Sequence, residues 1–215
     1  MKKKLQVFVS STYTDMLAER QAAVEAILEA RHIPAGMELF AAGDESQLET
    51  IRRWIDDSDV FMLILGGRYG SVEPKSGKSY IELEYEYAAE KKKPLFAAVI
   101  NDAYLEVKVK KRGTGAIETM NGQLLKAFRE IVTSKICRFF GDTNVLKQIV
   151  FQSLSNFEQN ENLAGWIHGD EVIDRKEEIT RLQEEVTRLQ AVNAELRRQN
   201  DELKKPRVID GGSWK

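Results

Sequence analysis

The stretch Asp59-Val60-Phe61-Met62-Leu63-Ile64-Leu65, followed by Gly66-Gly67, decides the fold. It is an unbroken apolar run bounded by an acid and a glycine pair. Such a run is far short of the roughly 20 residues of a membrane-spanning helix. It reads as a strand buried on both faces, which is the habit of parallel sheets. Working outward, Leu5 to Ser10 (LQVFVS), Met37 to Phe40, Leu95 to Ile100 and Ile136 to Phe140 read as four further strands. Helical spacing fills the gaps. Met16, Ala23, Ile27 and Ala30 recur within 14–31, with Pro34 and Gly36 ending the pattern. Gly43 and Asp44 open a second helix with Leu48, Ile51 and Ile55 on one face. Residues 78–93, 123–133 and 143–160 read as helices, and Leu105, Val107 and Val109 alternate with charges like an edge strand or hairpin arm.

Strands alternating with helices predict an α/β domain over 1–160, a parallel five-stranded sheet covered on both faces. Ligands of such sheets bind beyond the C-terminal strand ends. The loops expected there are Ser10–Thr14, Phe40–Glu45, Gly66–Ser79 and the stretch after Ile100.

The last part of the chain follows another rule. After a linker at 161–171, residues 172–205 carry a heptad. Val172, Ile179, Val186, Asn193 and Asn200 occupy a; Arg175, Leu182, Leu189, Leu196 and Leu203 occupy d. β-Branched residues at a, leucine at d and buried asparagines favour a parallel two-stranded coiled coil, so self-association is expected. About 32 residues would span about 48 Å. Pro206 ends the helix, leaving a short tail at 206–215 that contains Trp214.

Composition narrows the function classes. The chain has 215 residues, a net charge of -2, 42% hydrophobic and 31% charged residues. Near-neutral charge argues against nucleic acid as a partner. No apolar run is long enough to span a membrane, and Met1-Lys2-Lys3-Lys4 is not followed by a signal-peptide pattern. The single Cys137 fits a reducing cytoplasm. With His32 and His168 far apart, no metal site is expected, and no cofactor either.

The opening Val7-Phe8-Val9-Ser10-Ser11-Thr12, then Asp15-Met16, then Glu19-Arg20, resembles a TIR-like domain family of unknown function. That family is found at the N-termini of NACHT and WD-repeat proteins and in bacterial proteins. Gly67-Arg68-Tyr69-Gly70-Ser71 and the run from Ser79-Tyr80 through Glu84-Tyr85 to Ala88 match its other blocks. The resemblance covers about 5–100 and weakens towards 160. It implies a flavodoxin-like or TIR-like fold and kinship with TIR domains and nucleoside deoxyribosyltransferases. Both groups include enzymes that cleave N-glycosidic bonds with a glutamate at the start of the helix before the fourth strand. The spacing Glu84, Ala88, Lys93-Pro94 is similar to the deoxyribosyltransferase pattern and sets Glu84 apart from Glu82 and Glu86. The TIR Trp-Cys pair is replaced by Tyr80-Ile81.

The resemblance thus implies Glu84 as catalytic residue, with NAD or another nucleotide as substrate and a role in signalling or bacterial antiphage or stress defence. One carboxylate suffices for NAD, because a pyridinium leaves as a neutral base without protonation. The helix N-terminus should keep Glu84 ionised. Ser10, Ser11 and Thr12 would face a phosphate, Arg68 would pair with one, and Tyr69 would stack on a base. Structural roles compete at each position. Ser10 to Thr12 could cap the first helix, and Arg68 could sit in a surface ion pair. Asp15, Glu19 and Arg20 read as capping and i,i+4 residues, and Glu82 and Glu86 as solvated. Two other functions remain open: a non-enzymatic interaction module binding a nucleotide or partner protein, and a deoxyribosyltransferase-like enzyme.

Overall fold

The computed structural model describes residues 3–36, 47–160 and 162–204. The chain divides into two compact units, Met1–Trp166 and Ile167–Lys215. In the first, strands β1 (Gln6–Ser11), β2 (Ile33–Ala35), β3 (Val60–Leu65), β4 (Leu95–Ile100) and β5 (Arg138–Phe140) form one sheet. Every neighbouring pair is parallel and the order is β2-β1-β3-β4-β5. That is the flavodoxin-like order, with its switch point between β1 and β3.

Alternation along β3 shows how the sheet is covered. Val60, Met62 and Ile64 point into one core with Val7, Val9, Ala23, Ile27, Leu146 and Val150. Phe61, Leu63 and Leu65 point into the other with Phe8, Ile51, Ile55, Tyr85 and Phe128. The first layer is α1 (Leu17–Glu29) and α6 (Thr143–Glu158). The second is α2 (Gln47–Asp57), α3 (Tyr80–Glu90) and α5 (Gly122–Thr133). Burial of β1 and β3 is complete on both faces, which is why these strands read as continuous apolar runs.

Two expectations are corrected. The strand beside β1 is Ile33–Ala35, where Pro34 had suggested only a helix end; Met37 to Phe40, with Gly43 and Asp44, lie outside the described residues. β2 is an edge strand, and the Ile33 N–H donates to Leu5 O at 2.9 Å. By alternation the Pro34 nitrogen faces away from the sheet, where a missing N–H costs nothing. Likewise residues 101–120 hold no strand. They form α4 (Asp102–Arg112) and a 3-10 turn at Gly113–Ala116. Asn101 caps α4 by accepting from the Tyr104 N–H at 2.8 Å. Leu105 packs on the core while Val107 is exposed, so the apparent alternation does not describe one face.

The second unit contains α7 (Gly169–Leu203). Its Ile179, Leu182, Val186, Leu189 and Leu196 are each about half exposed. Among the described residues no helix is long and apolar enough to cross a membrane.

Candidate functional site

A crevice opens where β1 and β3 end. Ser11 to Asp15 form one wall, Arg68, Gly70 and Ser71 a second, and Tyr80, Ile81 and Glu84 of α3 a third; Gln47 stands at the start of α2. Its volume is about 180 Å³. That is below the roughly 300–1,000 Å³ of pockets that engulf a drug-sized ligand, so it can enclose one moiety such as a sugar.

The β3–α3 loop is built to hold α3 in place. The Tyr80 N–H donates to Ser71 O at 3.0 Å, and Val72 bridges Ser79. Ser79 caps α3, its hydroxyl accepting from the Glu82 N–H at 3.3 Å. With the start fixed there, Ile81, Tyr85 and Ala88 pack inward, and Glu84 lies on the same side at the crevice floor.

Glu84 is only 2% exposed, and its Oε1 has no hydrogen-bond partner. Burial pushes its pKa up to about 7, against smaller lowering by Ser10 and the Arg20 charge. Ser10 stands near enough to favour the carboxylate, yet no bond of normal geometry joins them, and Ser10 Oγ is itself unpartnered. The expectation of a helix-held, low-pKa carboxylate is therefore corrected. Glu84 sits one turn into α3, where the dipole has faded, and desolvation outweighs it. A group with such a pKa exchanges protons near neutrality.

The other sequence candidates are placed as follows. Ser11 and Thr12 line the crevice, with Thr12 Oγ1 buried and unpartnered. Ser10 lies behind them in β1. None caps α1, whose N-cap is Met16 and lacks a side-chain cap. Ser11 Oγ instead accepts from Arg20 Nη1 at 2.9 Å. Arg68 lines the crevice and donates to Thr14 Oγ1 at 3.3 Å. Tyr69 does not face the crevice: it is fully buried, its hydroxyl donating to Glu82 Oε2 at 2.5 Å. It cannot stack on a base without leaving the core. Glu82 is accordingly buried rather than solvated, while Glu86 pairs with Lys78. Sequence reasoning missed Tyr13 and Tyr80 as the aromatic walls, and it read Asp15 as structural although it lines the crevice. The adjacency of Tyr80 to the Ser79 cap is the signal that could have found it.

A family model matches residues 6–155, which carry every strand of the sheet and the crevice. The chain belongs to the family described as a domain of unknown function, DUF4062. Among solved structures, this DUF4062 chain is similar to the TIR domains of the activated Roq1 resistosome directly recognizing the pathogen effector XopQ. They share 12% identity over 70% of this chain and 99% of that one, with a TM-score of 0.47. A flavo di-iron protein mutant from Thermotoga maritima shares 16% identity over 74% of this chain and 37% of that one, with a TM-score of 0.38. A diflavin flavoprotein A3 from Nostoc sp. shares 16% identity over 74% and 93%, with a TM-score of 0.36. The comparison with curated proteins gives no match.

Proposed function

We propose that the DUF4062 crevice binds a nucleotide and cleaves its N-glycosidic bond, with NAD(P) as substrate and Glu84 as the reacting carboxylate. The observation carrying this reading is the buried, incompletely bonded carboxyl of Glu84, titrating near neutrality, at the ligand edge of a parallel sheet. In its ionised form Glu84 stabilises the oxocarbenium-like charge on the ribose. The bond from C1′ to the pyridinium nitrogen breaks with its electron pair on nitrogen, so nicotinamide departs neutral. Water adds to C1′ and its proton passes to Glu84. Arg68 pairs with a phosphate at the mouth, and Ser11 and Thr12 offer hydroxyls to the same ligand.

Self-association through the α7 heptad raises the local concentration of neighbouring sites. The half-exposed Ile179, Leu182, Val186, Leu189 and Leu196 support that part of the reading. A role in signalling or in bacterial antiphage or stress defence rests on the resemblance to TIR domains, and the free Cys137 suits a reducing cytoplasm.

The test is to incubate the full chain, dilute and concentrated, with NAD and NADP and to identify released nicotinamide by mass. Glu84→Gln should lose essentially all release. Retention of full turnover in that variant overturns the assignment.

A further inference from the structure

We propose that Asp15 is a second catalytic carboxyl in this crevice, an acid that protonates the departing base. It would extend the substrates of the site to purine or pyrimidine nucleotides, whose bases are neutral. The proposal rests on the N-glycosidase reading of Glu84 and adds to it a proton donor that NAD cleavage does not require.

Asp15 is only 2% exposed, and neither carboxyl oxygen has a hydrogen-bond partner. Asp15 is nevertheless one of the residues that line the same crevice as Glu84. A buried carboxyl with both oxygens unmet is costly as a structural feature, so it calls for a partner that a ligand would bring. The obvious structural role is absent, because α1 begins at a Met16 cap with no side-chain bond. The nearby cations are engaged elsewhere. Lys108 Nζ donates to Glu19 Oε1 at 2.6 Å, and Arg68 donates to Thr14. The position is also fitted closely: a Cβ on Gly66 would lie 3.1 Å from Asp15 Oδ2 and 2.6 Å from Met16 Sδ. Glycine at 66 makes room for Asp15 where it stands.

Burial raises the Asp15 pKa, partly offset by Thr12, its own amide and the charges of Lys108 and Arg68. Thr12 stands close enough for that influence without a bond of normal geometry, since its Oγ1 is unpartnered too. The balance thereby moves towards the protonated form, the direction a general acid needs.

The chemistry divides substrates by leaving group. A nicotinamide or another cationic base leaves neutral by itself. A neutral purine or pyrimidine would leave as an anion unless protonated, and glycoside cleavage of that kind uses a paired acid. In the proposed step the C1′–N bond breaks with its electron pair on the base, and Asp15 gives that base its proton. Water adds to C1′ and surrenders a proton to Glu84. The products are ribose phosphate and free base, and proton exchange with solvent restores both carboxyls.

Guanosine and 7-methylguanosine 5′-monophosphates form a matched pair, because methylation makes the base cationic and removes the need for an acid. Base release from both, from the adenine, cytosine and uracil monophosphates, and from NAD would be read by mass for wild type, Asp15→Asn and Glu84→Gln. The expected result is that Asp15→Asn lowers release of neutral bases by about 100-fold or more, the usual span of general acid catalysis. Release of 7-methylguanine and nicotinamide should change only a few-fold, which also reports that the variant is folded. Equal loss on both classes, no loss on either, or a wild type that cleaves NAD but no neutral base overturns the role of Asp15 and leaves that of Glu84 standing. NAD turnover surviving Glu84→Gln overturns the reading beneath it, and a wild type that cleaves nothing overturns both.

Discussion

Lys108 Nζ, on α4, donates to Glu19 Oε1, on α1, at 2.6 Å, and their side chains are only 9% and 1% exposed. Tyr104 donates to the same oxygen at 3.0 Å. This pair ties α4 to the start of α1, beside the crevice wall. Removing one partner of a buried pair strands the other charge. Lys108→Met should therefore destabilise the fold by about 3–5 kcal/mol. Adding Glu19→Gln, which still accepts from Tyr104, should recover more than half of that loss. Urea unfolding of the two variants checks it, and equal stability of single and double variants would contradict the coupling.

Glu84 gives stability a pH dependence of defined sign. Folded, it holds its proton up to about 7; its ordinary value is 4.5. The folded chain thus binds more protons across that window, and raising pH withdraws stability there. The loss is complete above the folded pKa and is on the order of 3 kcal/mol. Glu84→Gln is neutral throughout and escapes it. Denaturation at pH 5 and pH 8 should show the variant gaining on wild type at the higher pH. A pH-independent difference between the two proteins would show that Glu84 does not carry the shift.

The strands buried on both faces, β1, β3 and β4, were legible because burial leaves an uninterrupted apolar string. Pro34 misled because its tolerance depends on being at the sheet edge, a property of the strand order and not of the local sequence. Helix α4 misled because Lys108 is buried by Glu19, a partner distant in the chain. At the site, Glu84 could be singled out by spacing, and Arg68 and Thr12 by their loops. Which way a loop side chain turns could not be read: Tyr69 enters the core while Arg68 beside it faces the crevice. The exceptional state of the Asp15 carboxyl and of Glu84 Oε1 is an absence of hydrogen-bond partners, which only the packed structure reveals.

Gly70 separates loop strain from crevice shape. Its φ is +86°, and a Cβ there would meet Thr12 Cγ2 at 2.9 Å. Gly77, in the same loop, has φ +72° with nothing within 4 Å. Gly77→Ala should cost about 1–2 kcal/mol through the backbone alone. Gly70→Ala should cost at least as much and also displace Thr12, weakening the proposed nucleotide binding by about tenfold, or about 1.4 kcal/mol. Calorimetric titration with NAD beside thermal melts distinguishes the two, and equal affinity in both variants would remove Thr12 from the ligand wall.

The heptad of α7 makes its own prediction. Leucines at 182, 189 and 196 line one stripe with Ile179 and Val186, each about half exposed. Arg188 pairs with Glu185 and Arg198 with Glu195 within the helix, leaving the stripe free of those charges. A parallel pair of such helices would bury the stripe as knobs in holes. Leu189→Glu in the full chain puts a carboxylate in that seam, so light scattering should read a monomer where the wild type is expected to be a dimer. Asn193 tests the order of assembly. Asparagine at an a position favours two strands at a cost in stability, so Asn193→Ile should raise the melting temperature while admitting trimers or tetramers. A wild-type chain monomeric at all concentrations would overturn self-association through α7, and an Asn193→Ile chain that stays strictly dimeric would show that Asn193 does not set the number of strands.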